Sequence, residues 1–197
     1  MNRVFDYNGA LVGPSNPVKQ LKTVKKMFVV DSGDRDVSKY PDTGDFVVYL
    51  PRVYENVVSL RLAGAEFSAT PVPKTGSIPS TVLYYVIDIE GLNKIDECSV
   101  GADRSGYPDG LFAKIPVESN TAIVLYNDHS NPENIAYYKP AIGKLDRMHI
   151  RTRLHAYKQT GNYINWTNGY SLTFEVEMLD NSFDDFSTFE SRIQNRA

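Results

Sequence analysis

Three carboxylates surround one arginine early in the chain, in the stretch DSGDRD at residues 31–36. Carboxylate oxygens bind hard cations such as calcium. The stretch lacks the alternating acids and the distal glutamate of a calcium-binding hand, and its arginine can neutralise the acids itself. It therefore predicts an ion-paired corner in preference to a metal site. The charged members of this corner are Asp31, Asp34, Arg35 and Asp36.

Three other patterns contain the residue types of active sites but not their spacing. Asp88 and Glu90 alternate at the end of a predicted strand, where nothing nearby guarantees a partner acid or base. The adjacent residues of Asp128–Ser130 cannot adopt the geometry of a hydrolase triad. His149 and His155 lie six residues apart and lack the close His-x-His pair of a cupin-like metal oxygenase. We therefore predict that the chain is not an enzyme and holds no cofactor.

The segment Asp146–Tyr157 is the clearest alternating strand of the chain. Its predicted inward side chains are Met148, Ile150, Thr152, Leu154 and Ala156. Its predicted outward side chains are His149, Arg151, Arg153, His155 and Tyr157. Arginine and tyrosine are enriched at subunit contacts, so the outward row predicts an interface. A solvated face is the alternative.

A turn-rich loop, 159–169, contains the only tryptophan, Trp166, within the sequon Asn165-Trp166-Thr167. Trp166 could stack on a sugar, and Asn165 could carry one. A tryptophan that anchors its own loop is the commoner case. Asn165 and Trp166 are therefore candidates for glycan contact or glycosylation.

Composition narrows the class of protein. The chain has 197 residues, a net charge of −3 and a pI near 5.6, so clustered cations for nucleic-acid phosphates are not expected. Cys98 is the single cysteine and cannot form an internal disulfide, which suits a reducing compartment. No apolar run is long enough to span a bilayer, and the first 20 residues lack a signal-peptide centre. Whether the protein lies against a membrane is left open.

Strand-like runs dominate the rest of the sequence, and no segment predicts a core helix. The predicted strands are Lys26–Asp31, Phe46–Leu50, Val57–Phe67, Thr81–Glu90, Leu111–Val117, Thr121–Tyr126, Asp146–Tyr157 and Tyr170–Leu179, with a short extended run at Ile135–Lys139. Pro51 is predicted to end the second strand. The strands Leu111–Val117 and Thr121–Tyr126 are predicted to form a hairpin.

About eight strands with long connections favour an all-β fold, a single eight-stranded antiparallel jelly-roll sandwich with short N- and C-terminal extensions. An immunoglobulin-like sandwich is the second choice, and it lacks its Cys and Trp signature here. The predicted organisation is an N-terminal arm at 1–25, one domain at 26–180 and a C-terminal tail at 181–197. Phenylalanines at Phe183, Phe186 and Phe189 have a spacing that could form a short amphipathic helix in that tail.

Several blocks resemble small capsid proteins of large icosahedral DNA viruses of algae and protists. The blocks are FVVDSGDRD, FVVYLPRVYENVVSLRLAGAEF, IGKLDRMHIRTRLHAY and YSLTFEVEM, within residues 27–179. The resemblance implies a single jelly roll with a structural role. That role is either the penton at the five-fold vertices or a minor capsid protein beneath or between the major capsomers. The loop at Asn162–Asn168 is longer than the short turn of that family.

The resemblance implies a virion protein assembled in the host cytoplasm, with the major capsid protein and other minor capsid proteins as neighbours. Short extensions favour the penton, because five compact wedges must close a ring. A homo-pentamer is therefore expected. The candidate subunit interface comprises Asp31, Asp34, Arg35, Asp36, His149, Arg151, Arg153 and His155. A glycan-binding β-sandwich module is the alternative from another functional class.

Overall fold

The computed structural model describes residues 4–5, 11–12, 22–68, 71–73, 82–94, 110–117, 123–127, 134–154 and 163–180. These residues are mostly β structure, which confirms the all-β prediction. The strands are β1 (Val4–Phe5), β2 (Leu11–Val12), β3 (Thr23–Asp31), β4 (Asp45–Ser68), β5 (Pro71–Pro73), β6 (Tyr84–Ile89), β7 (Ala113–Pro116), β8 (Ile123–Asn127), β9 (Ile135–Leu154), β10 (Ile164–Trp166) and β11 (Tyr170–Leu179). A single 3-10 turn, Ser32–Asp34, follows β3.

Two compact units make up the chain. One comprises Met1–Thr23 with Asp180–Ala197, and the other is Val24–Leu179. The predicted division into arm, domain and tail stays a prediction. His155, the Asp128–Ser130 run and the tail phenylalanines lie outside the described residues.

Most of the strands form one curled sheet. Its order is β3-β11-β4-β9-β6-β7, with β8 paired to β4 beside this path. The strands β5 and β10 form a separate antiparallel pair, as do β1 and β2. The pairings of β4, β6, β7, β8 and β9 are antiparallel. The predicted hairpin of β7 with β8 is wrong among the described residues, because β7 pairs with β6 and β8 pairs with β4.

The longest strand, β4, is continuous through Pro51, where the sequence predicted two strands. Two irregularities in its pairing with β9 explain the difference. Leu50–Val53 of β4 lie opposite Asp146 alone, and Tyr138–Ala141 of β9 lie opposite Val58 alone. Because each strand contributes the same number of extra residues, the register beyond both irregularities is the one that preceded them. Pro51 is tolerated because it lies in such an irregularity, where no ladder N–H is required.

A smaller irregularity changes which side chains of β4 enter the core. Thr173 pairs with Gly64 and Phe174 pairs with Leu62, so the residue between them, Ala63, has no partner on β11. Leu62 is buried on one side of this bulge, and Ala65 is buried on the other. The extra residue shifts the alternation of the strand by one, so Leu62 and Gly64 do not share the core face.

The burial of other strands follows from their residue types. Along β11, residues alternate between buried and half-buried, as the alternating apolar and polar residues of YSLTFEVEML predict. Nearly every residue of β6 is buried, which fits its largely apolar sequence and a strand covered on both faces. In β3, Phe28 and Val30 are buried, whereas Met27 and Val29 are exposed.

Aromatic side chains close the core where the sheet curls over itself. Phe174 on β11 stacks on Phe28 of β3, with ring centroids 5.3 Å apart. The same ring lies 5.9 Å from Phe112, just before β7. β3 and β7 lie at opposite ends of the strand order. Phe174 therefore packs between the two ends of the curled sheet, and such aromatic contacts contribute beyond their buried area.

No helix in the described part of the chain is long and apolar enough to cross a membrane.

The segment before β4 meets β10 in a tight backbone contact. Thr43 Oγ1 accepts a hydrogen bond from Trp166 N at 2.6 Å, and Gly44 N donates to Asn165 Oδ1 at 3.2 Å. A Cβ atom on Gly44 would lie 1.8 Å from Ile164 O. Only glycine fits this contact, so the loop that contains the tryptophan is held against the start of β4.

We predict that Gly44→Ala destabilises the protein by about 1–3 kcal/mol, because overpacking forces the backbone of β10 to move. Urea unfolding followed by tryptophan fluorescence would measure the change. Gly143→Ala is the matched control, since a Cβ there meets nothing within 4 Å. Equal stability of the two variants would contradict the proposed role of Gly44.

Candidate functional site

Charged side chains from neighbouring strands meet on the outer face of the sheet. The register places Arg151 of β9 between Asp45 of β4 and Asp88 of β6. His149 precedes Arg151 on the same face, and Glu90 follows the end of β6. We call Asp45, Glu90, His149 and Arg151 the charged cluster.

His149 joins two elements that lie on either side of β9. Its Nε2 lies 2.6 Å from Asp45 Oδ1, and its Nδ1 lies 2.5 Å from Glu90 Oε2. A neutral imidazole has one donor nitrogen, and only the doubly protonated ring donates to two carboxylates at once. The ring therefore links the start of β4 to the turn after β6.

Arg151 connects the same two carboxylates from the next outward position. Its Nη2 donates to Glu90 Oε2 at 3.3 Å, and its Nε lies 3.5 Å from Asp45 Oδ1. The guanidinium carbon lies 5.4 Å from the centroid of the Tyr163 ring, a cation–π distance. The side chain is less than one-third exposed. Arg151 is thus neutralised within its own chain and does not form a free cationic surface.

Arg153 is buried, which corrects its predicted outward position. It is 3% exposed and donates to both carboxylate oxygens of Asp88, with Nη2 2.9 Å from Oδ1 and Nε on Oδ2. This two-pronged geometry is the strongest arrangement of an arginine with a carboxylate. The alternation of side chains along β9 was predicted correctly, but residues from outside β9 cover the outer face of this strand at Arg153. Tyr163 pairs with Arg153 through an isolated bridge.

The charged cluster changes the acidity of Glu90. The hydrogen bond from His149 holds the pKa of Glu90 below its ordinary value, and the charges of His149 and Arg151 act in the same direction. Because the folded pKa is lowered, Glu90 stabilises the fold fully above the ordinary glutamate pKa. This contribution is lost as the pH falls through the lowered value.

The acidic corner is held mainly by bonds to the backbone. Arg35 donates to the carbonyls of Ser32 at 2.7 Å and Tyr40 at 3.1 Å. Asp31 Oδ1 accepts from Gly33 N at 2.6 Å. The sequence predicted that Arg35 would neutralise the neighbouring acids. In the structure its guanidinium donates to carbonyl groups of the loop instead. Such bonds fix the corner without needing the charges of the neighbouring acids.

One predicted acid of the corner does form an ion pair. Asp36 lies 3.4 Å from Lys39 Nζ. It also accepts hydrogen bonds from the amide and hydroxyl of Ser38, and these lower its pKa. Asp34 is exposed. The acidic face of the corner is thus directed to solvent.

Trp166 is an internal anchor, which removes it as a surface for stacking on a sugar. The side chain is 2% exposed, and its Nε1 donates to Thr152 Oγ1 at 3.0 Å. Its ring lies 4.5 Å from that of Phe67. Asn165 is half-buried, and its Nδ2, the atom that would carry a glycan, donates to Asp42 Oδ1 at 2.9 Å. Attachment of a glycan would break that contact.

The cluster has the composition of a catalytic site but a different geometry. Each nitrogen of His149 faces a carboxylate, so the ring presents no free lone pair to a metal or a nucleophile. Within the described residues, no group of three or more His, Cys, Asp and Glu side chains is arranged to hold a metal ion. The arrangement can cross-link strands through charge.

The sequence did not predict which residues pair with His149, Arg151 and Arg153. Asp88 and Glu90 were noted only as a pair at the end of a strand, and Asp45 was not singled out. A signal did exist, because acids on one strand and bases on another, each at alternate positions, form cross-strand ion pairs when the strands are neighbours. Which strands are neighbours is a property of the tertiary structure.

Comparison with models of known protein families gives no match. Comparison with curated proteins gives no match either.

We predict that Arg153→Met lowers the free energy of unfolding by about 3–5 kcal/mol, because it removes the two hydrogen bonds and the charge that Arg153 supplies to the buried Asp88 carboxylate. Adding Asp88→Leu should recover most of that loss. Chemical denaturation would measure both changes. Lys144→Met is the control, since its ion pair with Glu55 is exposed and 4.0 Å long; a change below about 1 kcal/mol is expected there.

A second prediction concerns the link made by His149. In His149→Gln the pKa of Glu90 should rise toward its ordinary value, because a charged donor has been removed. An NMR titration of the side-chain carboxyl carbon would follow it. Asp36 is the internal control, since its pKa is lowered chiefly by Ser38. A Glu90 pKa that does not move, or an equal shift at Asp36, would contradict the prediction.

Proposed function

We propose that this chain is a structural capsid protein of a large icosahedral DNA virus, and that it is the penton, forming pentamers at the five-fold vertices. The single observation that carries this proposal is the nested order of strand pairing. The residue blocks that resemble small viral capsid proteins support it independently. Both lie within Val24–Leu179.

The nested order appears when the two halves of β4 are counted separately and the separate pair of β5 with β10 is set aside, which leaves eight segments from β3 to β11. The first pairs with the last, β3 with β11. The second, Asp45–Tyr49, pairs with β9, and the third, Gly64–Ser68, pairs with β8. The fourth and fifth, β6 and β7, pair with each other. A long hairpin rolled onto itself has this order, so the pairing supports a jelly roll as the proposed fold.

A jelly roll alone does not select a function, because capsid proteins, lectins and cupins share it. The residues disfavour the other two classes. Trp166, which a sugar would stack on, lies in the core, and the imidazole of His149, the histidine within the described residues, already faces two carboxylates. A structural role requires neither an exposed tryptophan nor a free imidazole, and the resemblance to small capsid proteins favours that role.

Exposed apolar side chains favour a protein that assembles with other protein chains. Several large apolar side chains are strongly exposed, among them Tyr49 at 74% and Leu125 at 76%. Apolar groups on a soluble surface mark contacts with other proteins when they cluster. In a virion, the neighbours would be further copies of this chain, the major capsid protein and other minor capsid proteins. A minor capsid protein between capsomers is the competing assignment.

Purified recombinant protein should form pentamers, because five equivalent wedges close a ring through one repeated contact. Native mass spectrometry over a range of concentrations would measure the number of copies. Imaging of virions with a labelled chain would locate it at vertices. A trimer, a strictly monomeric protein or a position between hexagonal capsomers would contradict the proposal.

A further inference from the structure

The turn between β10 and β11 contains an asparagine followed by a glycine. Thr167 and Asn168 form this turn, and both are exposed. Gly169 follows them with a φ of 77°. In such a pair, the backbone nitrogen of the second residue readily attacks the side-chain amide of the first. Glycine favours the attack because it has no side chain to obstruct it and its backbone is permissive. The turn therefore presents a self-reactive pair of groups to water.

Asn168 differs from the other described asparagines in the residue that follows it and in the state of its side chain. The other described asparagines, each followed by a residue larger than glycine, are Asn56, Asn93, Asn127, Asn134 and Asn165. Within the described part of the chain, the side-chain amide of Asn168 makes no hydrogen bond. The amide of Asn165 is held at both ends, since it donates to Asp42 and accepts from Gly44 N. The amide of Asn168 can thus turn toward its own backbone.

The attacking atom is the backbone nitrogen of Gly169. Its N–H donates to Trp166 O at 3.3 Å. This distance exceeds the usual length of an N–H···O bond, about 2.9–3.0 Å. Exposed turns of this kind open locally at low cost, because few buried contacts hold them. Release of the bond to Trp166 allows the nitrogen to approach Cγ of Asn168.

We propose that Asn168 is a site of spontaneous deamidation through a cyclic imide. The Gly169 nitrogen loses its proton and forms a bond to Asn168 Cγ. The bond between Cγ and Nδ2 breaks, and Nδ2 leaves as ammonia with a proton taken up in exchange. Water then opens the imide at either carbonyl and gives aspartate or isoaspartate, each with a new negative charge. The reaction needs only the folded chain and water, so it does not depend on assembly into a capsid.

The isoaspartate product changes the contact between this turn and the corner at Asp31–Asp36. A Cβ atom on Gly169 would lie 2.7 Å from the Oγ of Ser32, which is buried. The next residue, Tyr170, donates its backbone N–H to the same Oγ at 2.8 Å. Isoaspartate adds a carbon to the main chain directly before Gly169 and so displaces the Tyr170 amide. The buried Ser32 hydroxyl then loses its donor, which weakens the attachment of the turn to the corner.

Peptide mapping of aged protein tests the site. The purified chain is incubated at neutral and mildly alkaline pH, below its unfolding temperature, and digested with trypsin. Electron-transfer mass spectrometry then distinguishes aspartate from isoaspartate. We expect conversion of Asn168 that accelerates with pH, because the attacking nitrogen must lose a proton. Conversion of Asn165, in the same tryptic peptide, should be slower by roughly tenfold or more, because a tryptophan follows it.

The other Asn-Gly pair of the sequence, Asn8-Gly9, lies outside the described residues and in a different tryptic peptide, so it is scored separately. Asn168→Gln is the matched variant. Its longer side chain closes the ring far more slowly, so this position should gain no charge over the same period. Conversion of Asn168 in the urea-unfolded chain but not in the folded chain would overturn the proposal, because the fold would then protect the pair. Absence of conversion in both states, or equal conversion at Asn165, would overturn it as well.

Hydrogen exchange tests the effect on the corner. In the isolated isoaspartate fraction, the Tyr170 amide should exchange faster than in the unmodified chain, since its bond to Ser32 is lost. Asn168→Asp is the control, because it carries the new charge without the added backbone carbon, and its Tyr170 amide should stay protected. Unchanged exchange in the isoaspartate fraction would overturn the proposed effect. Equally fast exchange in Asn168→Asp would also overturn it, because the charge alone would then be the cause.

Discussion

The pairing of β4 with three other strands is the constraint on which the rest of the fold depends. One edge of β4 pairs first with β9 and then with β8, while its other edge pairs with β11. Two matched irregularities let β4 and β9 bend together and recover their original register. An unmatched insertion would place every later side chain out of step with its partner. The core of Phe174, Phe28 and Phe112 can close because this register is kept.

Charged side chains on the outer face also link the strands of this sheet. Asp45, Glu90, His149 and Arg151 link the first half of β4 to the end of β6 across β9. Arg153 and Asp88 form a buried pair in the next positions. Buried pairs of this type contribute less to stability than to the choice of one arrangement, because an unpaired partner would be costly. We interpret the pairing of His149, Arg151 and Arg153 with carboxylates as interactions that specify which strands become neighbours.

This interpretation changes which surface is available for assembly. A row of free cations could bind an acidic neighbour, but His149, Arg151 and Arg153 already pair with carboxylates of the same chain. Large apolar side chains such as Tyr49 and Leu125 are exposed elsewhere in the described part of the chain. In the corner at Asp31–Asp36, which the sequence also singled out, Arg35 holds the loop from within, and Asp36 is paired with Lys39.

The sequence by itself determined the class of fold, most of the strands and the alternation of β11 and of Met148–Leu154, because these depend on local periodicity. It also singled out Trp166 and the outward row that contains Arg151 and Arg153. Only the tertiary structure decided that Arg153 and Trp166 are buried, that Asp45 and Glu90 meet His149, and that β4 runs through Pro51. Each of these depends on which strands become neighbours and in what register. Such long-range pairing leaves no periodic trace in a single strand, so the partners of the charged cluster became known only from the folded chain.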